Sequence, residues 1–291
     1  MKIGTLYIVA TPIGNLEDMT PRAVRILSEV DVIAAEDTRH SRKLLNFFGI
    51  KTPLISCHEF NEEKKGDFIV SKILDGEDIA LISDAGTPCI SDPGYKLVKM
   101  AADTGVNVVP ICGVSAVTAA LSVSGFNISS FTFLGFLPRG KELKKFVENI
   151  SYESIIVFYE SPKRIKETIK IFADSFPDTE ICLCNDITKK FEKIYRGTFS
   201  EVQNYISINE NVEKGEYTCV VKFVKIEEAK NNKEAVSYQA LLLDTMIKND
   251  CNLKDAAKLF HEKNRSVSKK EIYSAMLSLK KFALQTFHNQ S

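Results

Sequence analysis

The feature that most constrains the fold is a regular alternation of short apolar runs with amphipathic segments in the first part of the chain. Each apolar run has the length of a strand, and each segment after it carries apolar residues at the spacing of a helix face. The predicted strands cover 6–10, 31–35, 54–57, 79–83 and 106–111, and helices follow them from 21, 38, 62, 93 and 115. Strands that alternate with helices form parallel sheets with helices on their faces. The sequence therefore predicts an α/β domain built on a mostly parallel sheet.

A second block of strands and helices begins at residue 131. Strands are predicted at 131–136, 154–159, 181–185 and 217–224. In the last of these, polar and apolar residues alternate as in a strand at the edge of a sheet. Ser161 is predicted to cap a helix that Pro162 opens. We place the junction of the two α/β domains between 112 and 130, and a cleft between two such domains is a favoured place for a ligand.

The remaining chain is polar at 227–233 and then has helical periodicity. The polar stretch is predicted to be a linker, and helices are predicted at 237–248, 253–263 and 269–282, with a turn at 264–268 before the last. Three such helices are compatible with a helix-turn-helix-like unit and also with a plain bundle. The predicted domains are therefore 1–114, 115–228 and 229–291.

The net charge of zero hides an uneven distribution. The chain has 38 Lys and Arg against 38 Asp and Glu, but residues 229–291 hold 11 of the basic residues and only 6 of the acidic ones. A basic segment attached to an acidic body indicates a localised site for an anionic partner such as nucleic acid. A solvated helix face is the alternative explanation for the same charges.

Cysteine, histidine and apolar patterns exclude several classes of protein. The seven cysteines form no C-x-x-C pair and no zinc-type spacing, so no metal site is predicted and reduced thiols are expected. The apolar run at 5–10 is too short to span a membrane and lacks the flanks of a signal peptide. His40 and His58 have no partner at the spacing of a hydrolase or a zinc protease. We therefore expect a cytoplasmic protein without a membrane partner.

The strand predicted at 79–83 ends in a loop of small residues, Ser83-Asp84-Ala85-Gly86-Thr87-Pro88. Small residues let a ligand approach the backbone, and Asp84 adds a fixed charge. Asp92 and Pro93 are predicted to start the next helix, whose N-terminus offers unpaired N–H groups. The segment fits a ligand-binding loop and also an ordinary connection between a strand and a helix.

Charged residues follow two other predicted strands. They are Glu36, Asp37 and Arg39 in the first block, and Glu160, Lys163 and Arg164 in the second. An acid at a strand end can simply cap the next helix. Basic residues at a helix start oppose the helix dipole, so a phosphate partner would explain Lys163 and Arg164, although a solvated surface would also accommodate them.

Two common nucleotide-binding motifs are excluded. Residues 135–141 fit G-x-x-x-x-G-K, but Glu142 stands where a Ser or Thr holds magnesium, and Pro138 removes a backbone donor. The loop after the first strand has no G-x-G-x-x-G. Neither a phosphate loop nor a dinucleotide site of the usual kind is predicted.

Several longer motifs occur in order along the chain. They are LYIVATPIGNL at 6–16, AAEDTR at 34–39, SDAGTP at 83–88, DPGY at 92–95, GFLP at 135–138, FYES at 158–161, TK at 188–189 and KGE at 214–216. Together they resemble the ribosomal RNA small subunit methyltransferase I family, a branch of the tetrapyrrole methylase superfamily. The resemblance covers 4–224, and the helical tail is similar to the C-terminal module of that family.

The resemblance implies two mixed or parallel α/β domains of the tetrapyrrole methylase type, with the methyl donor S-adenosylmethionine in the cleft between them. It implies methylation of the 2′-hydroxyl of a cytidine in the decoding region of small-subunit (16S) ribosomal RNA, either naked or in the assembled subunit. It also implies a homodimer.

The resemblance and the local patterns nominate site residues. By position, the superfamily's donor-binding segments fall on Thr11, Pro12, Ser83, Asp84, Ala85, Gly86, Thr87, Gly113, Ser115, Ala116 and Phe158. The candidates for the catalytic base or for positioning the nucleotide are Glu36, Asp37 and Glu160. The candidates for RNA phosphate contacts are Arg39, Lys163 and Arg164.

Two places depart from the family pattern. Cys112-Gly113-Val114 stands where the family usually has Pro-Gly-Pro, which loosens a turn near the expected donor site but keeps its glycine. Asn185-Asp186 stands where the family usually has Arg-Glu, so no role of that arginine in RNA or donor binding can be transferred to this chain.

Two other functions stay open at this point. One is methylation of a small tetrapyrrole-like metabolite, and the other is RNA binding without catalysis. Pro12 and Asn15 replace the glycine-rich first loop of tetrapyrrole-modifying relatives, and the tail is basic. Both features favour the RNA branch.

Overall fold

The structure is a computed structural model that describes residues 2–58, 62–150, 155–209, 211–223, 237–264 and 267–288. The chain divides into two compact units, Met1–Val224 and Lys225–Ser291. The first unit contains two five-stranded sheets, and the second consists of helices in its described part.

The first sheet is parallel throughout, as the strand and helix alternation predicts. Its strands are β1 (Thr5–Val9), β2 (Val32–Ala35), β3 (Leu54–Ser56), β4 (Ile79–Ile82) and β5 (Asn107–Ile111). They lie in the order β3-β2-β4-β1-β5, and each neighbouring pair is parallel. The associated helices are α1 (Pro21–Glu29), α2 (Thr38–Phe47), α3 (Glu62–Leu74) and α4 (Tyr95–Asp103).

Two apolar layers enclose this sheet. Ile33 and Ile82 pack with Leu27 of α1 on one face, and Leu81 packs with Ile73 of α3 on the other. Because all five strands run in one direction, the loops after β1, β2, β4 and β5 emerge at the same edge. This edge carries the small-residue loop and the first group of charged residues that the sequence analysis singled out.

The second sheet is mixed. Its strands are β6 (Phe131–Phe136), β7 (Ile155–Glu160), β8 (Glu180–Asn185), β9 (Lys193–Thr198) and β10 (Tyr217–Lys222), in the order β6-β7-β10-β8-β9. Only the β6 and β7 pair is parallel. The helices of this part are α5 (Ala116–Val123), α6 (Gly140–Glu148), α7 (Ile165–Ser175) and α8 (Phe199–Ile208).

Aromatic rings fill the layer between this sheet and helices α7 and α8. Phe158 stacks on Phe172 at 5.6 Å between ring centroids, and Phe172 stacks on Phe199 at 5.0 Å. The opposite face packs against α5, where Leu121 contacts a cluster that includes Val157. The sheet is therefore covered on both faces.

The prediction of an edge strand at 217–224 is wrong. β10 lies between β7 and β8, and Tyr217 to Val221 are all buried. The alternation of Thr218 with larger apolar residues suggested one polar face, but α5 covers that face and Thr218 is buried beneath it. Residue 224 lies outside the described residues.

Two helix starts also differ from the prediction. α4 begins at Tyr95 rather than Pro93, so Asp92 does not cap it. α7 begins at Ile165, because Ser161 and Pro162 belong to a turn in which the Ser161 carbonyl accepts hydrogen bonds from the N–H groups of Arg164 and Ile165. In both cases a loop replaces the predicted first turn of the helix.

The second unit has the three helices that its periodicity predicts: α9 (Tyr238–Asn249), α10 (Leu253–Lys263) and α11 (Lys269–His288). Leu242, Phe260 and Ile272 pack in a small core between them. Residues 265–266 of the predicted turn lie outside the described residues, and the helix-turn-helix resemblance stays a prediction. None of the helices in the described part of the chain is long and apolar enough to cross a membrane.

One buried carboxylate replaces the predicted cap of α4. Glu62 of α3 is 2% exposed, and its Oε1 accepts hydrogen bonds from the backbone N–H groups of Gly94 (3.1 Å), Lys96 (2.8 Å) and Leu97 (3.2 Å). A helix N-terminus has unpaired donors and favours a negative charge. Glu62 therefore anchors the end of the loop that follows β4.

We expect Glu62→Ala to lower the free energy of unfolding by about 1–3 kcal/mol, because it leaves buried N–H groups without an acceptor. The matched control is Glu63→Ala, since Glu63 is exposed and pairs only at the surface with Lys96 Nζ (2.6 Å). Urea unfolding followed by circular dichroism measures both variants. Equal shifts of the two midpoints would contradict the capping role.

Candidate active site

A cavity of about 460 Å³ lies where the carboxyl edge of the first sheet meets the second sheet. Its size is within the range of small-molecule sites. The first-sheet side contributes Ile13, Ala85, Gly86, Thr87, Ile90, Ser91, Asp92, Ser115 and Ala116. The second-sheet side contributes Phe136, Tyr159, Glu160, Ser161, Pro162, Ile187, Lys189, Gly215, Glu216, Tyr217 and Thr218.

The first-sheet wall is held by a backbone bridge between two loops. Thr11 and Gly86 exchange two N–H to carbonyl hydrogen bonds, each of 2.9 Å, and the Thr11 hydroxyl donates to the Ser83 carbonyl (3.3 Å). Gly86 has a φ of +80°, which disfavours other residues, and a Cβ there would lie 3.3 Å from Cγ2 of Ile13. The wall therefore presents backbone and small side chains to the cavity.

The start of α5 completes this wall. Ser115 occupies the N-cap position but makes no side-chain cap hydrogen bond, and the Thr87 hydroxyl donates to the Val114 carbonyl (3.1 Å). Just before this turn, Gly113 approaches the first loop so closely that a Cβ there would lie 2.8 Å from Cβ of Ala10. The glycine retained in this turn is thus required by packing.

Three carboxylates from two loops come together at the same edge. Burial raises the pKa of Glu36, and the charges of Asp84 and Asp92 raise it further. Burial also raises the pKa of Asp92, against a hydrogen bond with Ser83 that lowers it, and Asp84 adds to the increase. Asp92 is the member of this group that lines the cavity. The group gives the site a negative potential.

Tyr159 faces these acids from the second sheet. Burial raises the pKa of Tyr159 to about 12, and the charge of Asp92 contributes to the increase. Hydrogen bonds with the Val117 backbone and the Ser115 side chain act in the opposite direction. The phenol is therefore neutral and connects β7 to the start of α5.

Lys189 contributes the positive charge of the second-sheet side. Its Nζ lies 2.7 Å from Glu216 Oε2 and 3.0 Å from Asp186 Oδ1. Burial lowers the pKa of Lys189, but the hydrogen bonds to the two carboxylates outweigh that effect and raise it overall. A Cβ at Gly14 would overlap Cγ of Lys189, so the loop after β1 touches the stem of this lysine.

Comparisons with known proteins decide the family. Residues 5–203 match the family model described as Tetrapyrrole (Corrin/Porphyrin) Methylases. A "Ribosomal RNA small subunit methyltransferase I" from Pseudomonas aeruginosa is 42% identical over 265 residues, which cover 90% of this chain and 93% of that protein. The protein of the same name from Bacillus subtilis is 43% identical over 279 residues, 94% of either chain. The chain belongs to the ribosomal RNA small subunit methyltransferase I family.

Solved structures confirm the fold of this methyltransferase. A cobalt precorrin-4 methyltransferase aligns with a TM-score of 0.55 at 17% identity and covers 75% of this chain and 94% of its own. The uroporphyrin-III C-methyltransferase of Thermus thermophilus, complexed with S-adenosyl homocysteine, aligns with a TM-score of 0.53 at 15% identity. It covers 78% of this chain and 100% of its own. At this level of identity, both similarities show the fold alone.

The structure brings most of the donor-site candidates to one place. Ala85, Gly86, Thr87, Ser115 and Ala116 line the cavity of the methyltransferase. Thr11, Ser83 and Gly113 stand behind this lining through the contacts described above, and Pro12 follows Thr11 directly. Asp84 lies in the group of acids, where its Oδ1 accepts a hydrogen bond from the N–H of Asp37 (3.2 Å).

Phe158 is placed differently. It is fully buried and stacks on Phe172, on the sheet face turned away from the cavity. Successive side chains of a strand point to opposite faces, so Tyr159 takes the position on the cavity side. The Phe158 side chain therefore does not line the cavity, and its role in donor binding stays a prediction.

The charged candidates of the first block lie at the start of α2. Asp37 is the N-cap of this helix, and its Oδ2 lies 3.0 Å from Arg39 Nη2. The hydrogen bond from the Arg39 guanidinium lowers the pKa of Asp37 to about 2. Arg39 is strongly exposed. Glu36, in contrast, belongs to the group of acids and is half-buried.

Two of the charged candidates of the second block, Glu160 and Arg164, contact each other, whereas Lys163 is exposed. Glu160 is 1% exposed, and its oxygens accept hydrogen bonds from the Ser161 N–H (2.7 Å) and the Thr168 hydroxyl (2.7 Å). Arg164 Nη2 lies 3.3 Å from Glu160 Oε2 and donates to the carbonyls of Leu137 (3.0 Å) and Pro138 (2.7 Å). The pair therefore fastens the loop after β6 to the end of β7.

Among the cavity-lining residues that were not nominated from the sequence are Ile90, Asp92, Phe136, Tyr159 and Lys189. All of these except Ile90 lie within motifs that carried the family resemblance: DPGY, GFLP, FYES and TK. The motifs therefore indicated the segments that line the cavity. The direction of each side chain depends on strand register and loop geometry, which the motifs do not specify.

We expect Arg164→Leu to destabilise the first unit by about 3–5 kcal/mol, because it leaves the buried Glu160 carboxylate without its counter-charge. Lys163→Leu is the matched control, since Lys163 is exposed and forms no ion pair within the described part of the chain. Thermal unfolding measures the difference. If both variants melted like the wild type, the clamp between Glu160 and Arg164 would carry no stability.

Proposed function

We propose that this methyltransferase transfers the methyl group of S-adenosylmethionine to the 2′-hydroxyl of a cytidine in the decoding region of small-subunit ribosomal RNA. The observation that carries the proposal is the cavity beside the Thr11 and Gly86 bridge, in a chain 42–43% identical to small-subunit methyltransferases over nine-tenths or more of its length. The domain limits 1–114, 115–228 and 229–291, a homodimeric state and a cytoplasmic location belong to the same proposal.

The first-sheet wall suits the donor in shape and charge. Gly86, Ala85 and Ala116 leave room for a ligand to lie against the backbone, as a glycine-rich ligand loop does. The bound donor supplies a methyl group on a positively charged sulfur. The negative potential of Glu36, Asp84 and Asp92 favours such a cation. Asp84 does not line the cavity, so we assign it to this potential rather than to direct contact with the donor.

The transfer is an in-line displacement. The 2′-oxygen forms a bond to the methyl carbon, the carbon–sulfur bond breaks with its electron pair remaining on sulfur, and the hydroxyl proton goes to a base. The protein must therefore align the reacting atoms and accept the proton. Asp92 is placed for this second task because it lines the cavity, and its raised pKa makes it a better base than an ordinary aspartate.

The three acids that were nominated from the sequence, Glu36, Asp37 and Glu160, are less suited to this task. Asp37 is held by Arg39, and Glu160 is held by Arg164, Thr168 and the Ser161 N–H. Glu36 does not line the cavity, and we assign it to the negative potential that it shares with Asp84 and Asp92. Glu160 then positions the loop after β6 rather than taking a proton.

RNA phosphates are assigned to exposed cations. Arg39 and Lys163 are both exposed near the ends of β2 and β7, whereas Arg164 is committed to carbonyls and to Glu160. Residues 229–291 add a further basic segment, with 11 Lys and Arg against 6 Asp and Glu. Phosphate contacts of this kind give affinity that falls with salt but carry no sequence information.

The function is tested with small ribosomal subunits from cells that lack the endogenous activity. We expect the wild-type protein to incorporate one methyl group per subunit from labelled donor, with 2′-O-methylcytidine as the product in mass spectrometry. Methylation at another atom or in another nucleotide would reject the finer assignment. Failure to methylate these subunits, together with turnover of a tetrapyrrole, would reject RNA as the substrate.

We expect Asp92→Asn to lower kcat by roughly 10²–10⁴-fold, the usual contribution of a general base. Donor affinity should fall much less, because Glu36 and Asp84 retain most of the negative potential. Glu36→Gln is the comparison, and its effect on kcat is expected to be much smaller because Glu36 does not reach the cavity. Single-turnover assays and calorimetry with the donor separate the two effects. An Asp92→Asn variant with wild-type kcat would exclude Asp92 as the base.

The acidic limb of the pH–rate profile gives an independent test. Asp92 accepts a proton only when it is ionised, so kcat falls as the pH drops through its raised pKa. Because Asp84 contributes to that increase, Asp84→Asn should move the limb to lower pH when donor is saturating. A limb that stayed in place or moved to higher pH would show that another group is titrating.

A further inference from the structure

The end of strand β6 is irregular beside the cavity. Phe133 pairs with Val157 of β7, and the next pair is Phe136 with Tyr159. Two residues of β6 therefore lie between these pairs where β7 has only one, which defines a β-bulge. Gly135 lies inside this bulge with a φ of +63°, a conformation that other residues rarely adopt. Bulges of this kind re-aim side chains and are common next to active sites.

The bulge decides which face of the sheet Phe136 occupies. Without it, Phe136 would pair with Glu160 and lie on the face covered by α6, α7 and α8. With it, Phe136 stands beside Tyr159 on the cavity face, with the two ring centroids 5.6 Å apart and nearly edge to face. The sequence therefore uses a glycine at a positive φ to turn a phenylalanine toward the cavity.

The phenylalanine remains open to solvent in this position. Phe136 is 59% exposed, although it lines the cavity, and Ile90 lines the same cavity from the loop after β4 with 50% exposure. The two segments approach each other, since a Cβ at Gly135 would lie 3.9 Å from Ser91 Oγ. Together Phe136 and Ile90 form an apolar rim on a cavity whose other members include Asp92 and Lys189.

We infer that this rim binds the base of the acceptor nucleotide, with an unpaired pyrimidine stacked on the Phe136 ring. The inference rests on the proposed RNA substrate and adds the residue that holds its base. A ribose in a folded RNA reaches a cavity only when its nucleotide is splayed out of the helix, and splayed bases are commonly stacked on aromatic side chains. The exposure of Phe136 leaves its ring accessible to a macromolecular substrate.

The alternative occupant of the same ring is the adenine of the donor. The donor-site candidates that line the cavity lie in the loop after β4, at 85–87, and at the start of α5, at 115–116, whereas Phe136 lies at the end of β6. Stacking of the acceptor base should affect the Michaelis constant for RNA, and stacking of adenine should affect the dissociation constant of the donor. The two occupants are therefore separable by measurement.

The test uses the full-length protein with small ribosomal subunits and S-adenosylmethionine. We expect Phe136→Ala to raise KM for subunits by roughly 5- to 150-fold, the range of a lost base stack, with kcat and the Kd of the donor nearly unchanged. Phe136→Tyr should keep KM for subunits close to the wild-type value, because it keeps an aromatic ring. Phe136→Leu should raise KM as Phe136→Ala does, because it keeps apolar volume without a ring. Phe131→Ala is the matched control, since Phe131 is on the same strand, 44% exposed and outside the cavity lining.

An unchanged KM for subunits in both Phe136→Ala and Phe136→Leu would overturn the inference, and so would a weaker donor Kd as the main effect. An equal increase of KM in Phe131→Ala would also overturn the inference, because it would indicate that any loss of a side chain on β6 weakens the binding of subunits. Failure of the proposed function is recognised separately in the wild-type protein by its product. If the wild type methylated a different RNA position and Phe136→Ala still raised KM, the base-binding role would stand.

Discussion

Two backbone hydrogen bonds between Thr11 and Gly86 connect the loop after β1 to the loop after β4, and the geometry of the cavity depends on them. The bridge uses backbone groups, so it leaves the side chains of Ala85 and Thr87 free to line the cavity. It also places Ile13 against Gly86 and Gly14 against the stem of Lys189. The loop after β1 thereby touches both the small-residue wall and the second sheet.

The partners of each carboxylate decide its role in this protein. Glu62 is satisfied by three N–H groups of the α4 terminus, Glu160 by Arg164 and Thr168, and Asp37 by Arg39. A carboxylate whose oxygens are committed to such partners has little capacity to accept a proton, and removing one partner of a buried carboxylate destabilises the fold. Asp92 has a hydrogen bond with Ser83 and a repulsive neighbour in Asp84, and it faces the cavity. This difference is the physical basis for assigning the proton transfer to Asp92.

The departure at Asn185-Asp186 has a structural explanation. The Asn185 amide donates hydrogen bonds to the carbonyls of Lys214 (3.2 Å) and Glu216 (3.4 Å), and Asp186 adopts a φ of +52°, which aspartate tolerates better than most residues. Asp186 then pairs with Lys189 at the cavity. The two residues therefore hold the turn before β10 and orient a lysine, so the positive charge at this edge comes from Lys189.

The sequence by itself determined the parallel sheet, the mixed second block, the helical tail and the small-residue loop at 83–88, because periodicity, helix formers and glycine act through local geometry. It also nominated both charged clusters. It could not assign β10 to the centre of its sheet, choose Tyr159 over Phe158 or turn Phe136 toward the cavity, since each depends on register with strands distant in the chain. Only the tertiary structure decided which carboxylates are neutralised, because the partners of Glu62 and Glu160 come from other elements that folding brings within hydrogen-bond distance.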